Sequence, residues 1–452
     1  MLSRVHFFSF AFTPQSTVPR KKHSTNPNPV DLLPPFAGGG RLAGNGVAGS
    51  TDPSSGLEVM EPPALPDVLL EEIFLRIDAP ADLARASAAC VAFHRLTTDP
   101  SFLRRYRSLH PPLLLGFLDS DGHGLQFQPH DEPHPYAALS RAVARTNHFP
   151  FEDYLPRVAG FQWCLWMVRD GRALLGCHSE DGHDEEIVFP DLAVCDPLAR
   201  RCLPLPPIPD DLLASVQVQK QRLDGYDVAL VPSGEEDEDG TSFRVIARMD
   251  FTEKVVAFIF SSNTGCWGAG ESISWDALSL PRGNLALDWN ANYAYGCFYW
   301  KVTNMKRCLK LDISSMEFST IDLLPGFDMN LFTIVEAGKG RLGIFSLNSN
   351  KTSLCYCTIR QDGGERSDRL DLGSKIPLPV DHRYIISAAY EGHIFISTYQ
   401  SQLSGYQYQP TVGAPARFIL EAKTLKIERV CQRLLVGHPY FGFPPSMSQR
   451  RI

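Results

Sequence analysis

From about residue 113 onward the chain is a succession of short apolar runs cut by Gly, Asn, Asp and Pro, among them "LLLGFLDSDGHGLQF", "RALLGCHSEDGHDEEIVF", "VVAFIFSSNTGCW", "GCFYWKV", "RLGIFSL" and "HIFISTY". Runs of this length between turn-forming residues are strands and hairpins. A unit recurs: an apolar strand, a turn, a second strand and a polar stretch that leaves through proline, as in "LAVCDPLARRCLPLPPIP" and "LKLDISSMEFSTIDLLPGF". At about 45 residues per four-stranded unit, the remaining length holds roughly six to eight of them. The expected architecture is a β-propeller. A β-sandwich array gives similar local signals, but the stretch is long and contains no internal linker.

One segment breaks this pattern. "LPDVLLEEIFLRI", residues 65–77, is the most strongly helical stretch of the chain. At about 100° per residue, Leu69, Leu70, Ile73, Phe74 and Ile77 fall on one wide arc, and Val68 and Leu75 form a narrower stripe between Glu71 and Glu72. A surface helix needs only one apolar face, so the surplus stripe is available to something other than its own domain. Asp67 is placed to cap this helix, Pro80 to open a second over "PADLARASAACVAF", and Asp99-Pro100 to open a third over "PSFLRRYRSL". Three helices in so few residues make a marginal core, which gains from a neighbour.

The 452 residues, 44% of them hydrophobic, suffice for one large or two ordinary cores. With 43 basic and 51 acidic residues the net charge is -8, which argues against nucleic acid as a main partner. Eleven cysteines spread thinly from Cys90 to Cys431 are read as reduced thiols of the cytoplasm or nucleus. No run approaches the ~18 apolar residues of a membrane span, so no membrane is expected as a partner. Residues 1–62 are expected to be a disordered tail. The first thirty residues resemble a transit or weak signal peptide, and Met60 offers an alternative start. "GNGVAG", residues 44–49, fits the dinucleotide fingerprint only formally, because "STDPSSG" and not a helix follows it.

Residue clusters that invite chemistry have plainer readings. His178 and His183 near Cys177, and His130 with His134, lack paired ligand spacing, so no metal is assigned. Cys355 and Cys357 share one strand face and are read as packing or plain surface. The acidic run "GEEDEDG", residues 234–240, is read as a solvated hairpin tip. Trp163, Trp166, Trp267, Tyr299 and Trp300 would suit a binding surface, but Trp267, Tyr299 and Trp300 sit in the repeated strand motifs and are read as blade core. "AALSRAVAR", 137–145, and "PDDLLASVQVQKQ", 209–221, are read as helical insertions. No nucleophile elbow, P-loop or zinc-protease motif is present, and no catalytic or cofactor-binding residue is assigned.

Residues 65–110 resemble an F-box through Leu65-Pro66, the apolar Leu69, Ile73 and Ile77, then Asp82-Leu83, Cys90, Leu96, Asp99-Pro100 and Phe102, with Phe93 where the family often has tryptophan. The downstream part resembles the F-box-associated β-propeller of plant F-box proteins, carried by "VCDPLARRCLPLPPIP", "FIFSSNTGCW" and "GCFYWK". The resemblance implies an F-box at 63–110 and a substrate-binding propeller at 113–445. It implies a non-catalytic receptor of a ubiquitin ligase, joined to cullin and RING subunits through a Skp-family adaptor and holding an unidentified protein substrate. Leu65, Pro66, Leu69, Leu70, Ile73, Phe74, Ile77, Leu83 and Phe93 are the implied adaptor-binding residues. The alternatives are a propeller hydrolase or lyase with a helical cap, its catalytic groups converging from different blades, and an F-box scaffold acting outside ubiquitylation.

Overall fold

The computed structural model describes residues 65–442 apart from 111–112, 121–122, 131–133, 135, 147, 180–186, 199, 219–220, 233–241, 283–286, 288–290, 324–331, 349, 351, 361–373, 379–382, 391, 400–415 and 432–436. The tail, the "GNGVAG" segment, Met60, His183 and the acidic run 234–240 lie outside the described residues.

Four helices, not three, form the first part: α1 (Asp67–Leu75), α2 (Pro80–Ser87), α3 (Val91–Thr97) and α4 (Pro100–Leu109). The expected second helix over residues 80–93 is broken at Ala88–Cys90. Cys90 is extended at φ -158° and caps α3, its Sγ accepting from the Phe93 amide at 3.5 Å. Pro80 opens α2 and Asp99 caps α4 as their types dictate, Asp99 Oδ1 accepting from the Ser101 amide at 2.8 Å. The core of this part is Phe74, Leu75, Leu83, Phe102 and Tyr106. Phe74 and Phe93 meet edge to face at 5.1 Å, and the Tyr106 hydroxyl donates to the Ile77 carbonyl at 2.7 Å. Arg105 bridges Glu71 and Glu72 across α1 and α4 at 2.5 and 2.6 Å, in solvent, where such pairs add little.

The described strands from residue 113 form six four-stranded antiparallel sheets. Blade 1 holds β1 (Leu113–Ser120), β2 (Gly124–Pro129) and β3 (His148–Pro150), with a helix, α5 (Ala137–Thr146), inserted before β3. Blade 2 holds β4 (Phe161–Arg169), β5 (Arg172–Ser179), β6 (Leu192–Asp196) and β7 (Arg201–Pro204); a helix, α6 (Asp210–Ser215), follows it. Blade 3 holds β8 (Leu223–Val231), β9 (Arg244–Phe251), β10 (Lys254–Ser261) and β11 (Cys266–Ser274), and blade 4 holds β12 (Asn292–Ala294), β13 (Cys297–Lys301), β14 (Arg307–Asp312) and β15 (Phe318–Asp322). Blade 5 holds β16 (Phe332–Glu336), β17 (Arg341–Leu347), β18 (Ser353–Arg360) and β19 (Ser374–Pro377). Blade 6 holds β20 (Arg383–Tyr390), β21 (His393–Tyr399), β22 (Arg417–Glu421) and β23 (Ile427–Cys431). The last strand, β24 (His438–Gly442), returns to pair with β1 and becomes the inner strand of blade 1. Inner strands of neighbouring blades lie side by side, β24 beside β4, β4 beside β8, β12 beside β16 and β16 beside β20. The result is a six-blade β-propeller, in which each inner strand is a short sheet edge facing the axis.

Two local devices repeat around the ring. In the turn after the third strand, the fourth residue beyond the strand's last position has positive φ: Arg200 at 52°, Gly265 at 68°, Met316 at 57° and Leu425 at 58°. The amides of Gly265 and Leu425 return to the carbonyls of Ser261 and Glu421 at 2.9 and 2.8 Å, closing the hairpin. Between blades, a cation of one sheet lies over a ring of the next: Arg172 over Phe243 at 5.4 Å, Arg248 over Trp300 at 4.9 Å, Lys301 over Phe332 at 4.9 Å and Arg417 over Phe117 at 4.3 Å.

The cysteine reading needs one correction. Cys195 and Cys202, which face each other across β6 and β7 with Cα atoms 4.0 Å apart, form a disulfide. Antiparallel pairing brings them together at a distance no sequence spacing announces. Cys357 is buried and Cys355 half-buried on β18, and burial pushes the Cys357 thiol up to about 12.

Candidate docking surface

Helix α1 is divided differently from the expected arc and stripe. Leu69 and Ile73, at one edge of the wide arc, are 50% and 48% exposed, and Val68 is 70% exposed. Leu70 and Ile77 are half-buried against the helical core, and Phe74 lies inside it at 4%. The dividing line therefore runs through the wide arc. Leu75, at about the same helical angle as Val68 but two turns on, is buried, and the His110 imidazole reaches its carbonyl at 2.7 Å. The narrow stripe is thus outward at the start of the helix and inward at its end.

Leu65 is 51% exposed and Pro66 is exposed as well. Leu83 is fully buried and Phe93 half-buried against Phe74. Of the nine residues implied by the resemblance, Leu65, Pro66, Leu69 and Ile73 present themselves to solvent. Phe74 and Leu83 are correctly described as core, since no partner reaches them unless the helices part. Sequence reasoning missed Val91, 86% exposed at the start of α3. Val91 precedes Arg95 by one turn on the same face, and Arg95 pairs with Asp67 of α1 at 3.5 Å. Its signal is hidden in the sequence because Ala88, Ala89 and Cys90 carry no Gly or Pro to mark the break before α3.

Leu65, Val68, Leu69, Ile73 and Val91 are thus large apolar side chains left outward, where solvent exposure is costly. The electrostatics around them are mild. Arg105 has its pKa raised by its hydrogen bonds to Glu72 and Glu71. Tyr106, beneath the surface, is pushed up to about 12 by burial and by the nearby Asp78 carboxylate.

The described aromatic residues singled out in the sequence, together with His130, His134 and His178, pack within the propeller. Trp163, Trp267, Tyr299 and Trp300 are buried; Trp166 is half-buried between His178 and Tyr226. The Trp267 indole donates to the Pro206 carbonyl at 2.7 Å, and Trp300 to Asp227 at 2.6 Å. His130 and His134 stack at 3.9 Å, with a His130 ring nitrogen 2.9 Å from the Leu114 carbonyl. The expected insertions exist as α5 and a shortened α6. No helix among the described residues is long and apolar enough to cross a membrane.

Residues 63–109 match the F-box-like family model. No curated protein sequence matches the chain significantly. Among solved structures, AztD from Citrobacter koseri aligns at 14% identity over 72% of this chain and 74% of its own, with a TM-score of 0.31. A prolyl endopeptidase structure aligns at 13% identity over 70% and 45%, TM-score 0.30. A NanB sialidase mutant from Streptococcus pneumoniae aligns at 13% over 50% and 32%, TM-score 0.27. Likeness at this level carries no argument about activity. The chain thus joins an F-box-like helical region to a six-blade propeller.

Proposed function

We propose that this protein is a substrate-recognition subunit of a Skp–cullin–F-box ubiquitin ligase, of the kind whose F-box is followed by an associated propeller in plants. The single observation that carries the reading is the coincidence of the F-box-like match at 63–109 with an α1 that turns Val68, Leu69 and Ile73 to solvent. On this reading 63–110 is the adaptor-binding module, 113–445 the substrate-binding domain, and 1–62 belongs to neither.

Leu65, Pro66, Leu69 and Ile73 enter an apolar groove of the Skp-family adaptor. Leu70, Ile77 and Phe93 flank the contact, while Phe74 and Leu83 hold α1 in place from beneath. Burying a Leu-sized side chain is worth about 1.5–3 kcal/mol, so a few anchors suffice for tight docking. The chain supplies no reacting group: the conjugating enzyme held by the RING subunit transfers ubiquitin, and the propeller raises the local concentration of substrate lysines. The proteins act in the cytoplasm, the nucleus or both.

Reconstitution tests this reading. With adaptor, cullin, RING subunit and charged conjugating enzyme, ubiquitin is expected on the receptor itself or on a co-purified client, and its loss is expected in a Leu69→Asp, Ile73→Asp variant. Stable adaptor binding without any conjugate would support the scaffold alternative instead.

A further inference from the structure

Arg169 ends β4, the inner strand of blade 2. Its guanidinium carbon lies 5.2 Å from the centre of the Tyr293 ring on β12 and 5.3 Å from that of Tyr390 on β20. Blades 2, 4 and 6 alternate around a six-blade ring. A side chain that starts in one and touches the other two lies on the axis of the propeller.

Arg169 as a residue is 7% exposed, and its Nε donor is buried with no acceptor. Among the described residues no carboxylate or carbonyl accepts from it. An orphaned Nε is shared with Arg172 and Arg248, but Arg248 also donates to Asp250 at 2.9 Å and Arg417 donates to Ser397 and to the Gly437 carbonyl at 3.2 and 2.9 Å, whereas Arg169 faces two rings on the axis. Two carboxylates whose charge reaches the phenols are hydrogen-bonded elsewhere. Asp227, whose charge reaches Tyr390, accepts from the Trp300 indole at 2.6 Å. Glu336, whose charge reaches Tyr293, accepts from the Tyr295 amide at 2.8 Å. A buried cation satisfied only by ring faces retains most of its desolvation cost and its hydrogen-bonding capacity. Tyr293 and Tyr390 are themselves only half-buried, so the cluster borders solvent.

We propose that Arg169 anchors a ligand site on the propeller axis that takes a planar carboxylate, walled by Tyr293 and Tyr390. The guanidinium fork matches the two oxygens of a carboxylate. A phosphate is disfavoured, because its second charge and remaining oxygens would meet the negative faces of the rings. The carboxylate belongs either to a protein segment, as an Asp or Glu side chain or a chain end, or to a free small acid. The first source rests on the receptor reading above; the site itself does not.

The test uses the full chain and follows the Arg169 guanidinium signal by nitrogen-15 NMR, assigned with Arg169→Lys. The probes are propionate, its uncharged analogue propionamide, and a labelled Gly-Ser peptide carrying one central Glu or Gln. Propionate is expected to move the Arg169 signal and propionamide to leave it. Affinity should fall about tenfold or more in Arg169→Gln and less in Arg169→Lys. Binding of the Glu peptide about tenfold tighter than the Gln peptide identifies a protein segment as the source, and a response to propionate alone identifies a free acid. Absence of any shift with propionate and with the Glu peptide in the folded wild type overturns the proposal and leaves Arg169 as a bridge between blades. The wild-type signal decides between these outcomes, so a poorly folded Arg169→Gln leaves the test intact. Adaptor binding by the same preparation separates the two readings: a chain that binds adaptor but no carboxylate refutes only the site, and the converse refutes only the receptor.

Discussion

Asp227 and Arg200 occupy settings that no local sequence pattern marks. Asp227 is buried, and desolvation, outweighing Arg248 and the Trp300 indole, pushes its pKa from 3.8 up to about 7. A raised pKa means that the folded chain holds the proton more tightly, so the contribution is full below 3.8 and is lost as pH rises through about 7. Relative to wild type, Asp227→Asn should therefore gain stability across that window, by at most about 1.4 kcal/mol per pH unit. Urea titrations of both proteins at several pH values check this; a constant difference would contradict it. Arg200 is exposed at φ 52°, in the left-handed region that glycine occupies freely and where Gly265 stands in the equivalent turn of blade 3. Arg200→Gly should leave the midpoint unchanged or raise stability by up to about 1 kcal/mol, and a clear loss would show that its side chain matters more than its backbone. The buried cations over rings were equally invisible in the sequence, because Arg248 and Trp300, or Arg417 and Phe117, become neighbours only when blades close against one another.

Among the elements, helix α1 was legible and its facing was not. Periodicity identified too many apolar positions for one face, which was correct. It could not say that the boundary falls between Ile73 and Phe74, because that depends on where α3 and α4 place Phe93 and Tyr106. The split of residues 80–93 at Cys90 escaped for a related reason: Ala88, Ala89 and Cys90 carry no Gly or Pro signal. The division of α1 has a direct consequence for stability. Phe74→Ala should cost about 3–5 kcal/mol as a core truncation, whereas Leu69→Asp with Ile73→Asp should leave thermal unfolding of the chain nearly unchanged. Calorimetry distinguishes these outcomes, and equal destabilisation would mean that the outward face is packed. Beneath it, Tyr106→Phe removes the hydrogen bond to Ile77 and should cost about 1 kcal/mol. Since the Tyr106 pKa is raised from 10.0 to about 12, the stability tied to its proton is full below 10.0 and is lost as pH rises from there through about 12.

For the molecule as a whole, strand content, the recurring turn and the absence of a linker pointed to a propeller, but six blades could not be counted from a period. Insertions such as α5 and α6 and unequal hairpins stretch the repeat beyond any fixed spacing. Blade 1 is also split between the two ends of the folded chain, which no scan for contiguous repeats detects. Pairing of β24 with β1 clasps the first blade with the last strand of the described chain. Removing residues 437–452 should unpair β1 and broaden or split the unfolding transition, and an unaltered single transition would show that the ring holds without its clasp. What the protein does depends on what this closed ring is attached to. The affinity of the full chain for a panel of Skp-family adaptors addresses that without intermediaries, measured beside the Leu65→Ala, Pro66→Ala and the Leu69→Asp, Ile73→Asp variants, with folding of each verified by circular dichroism. A receptor should bind stoichiometrically as wild type and lose binding in both folded variants; a folded wild type that binds no adaptor, or variants that bind as well as it does, would refute the receptor role.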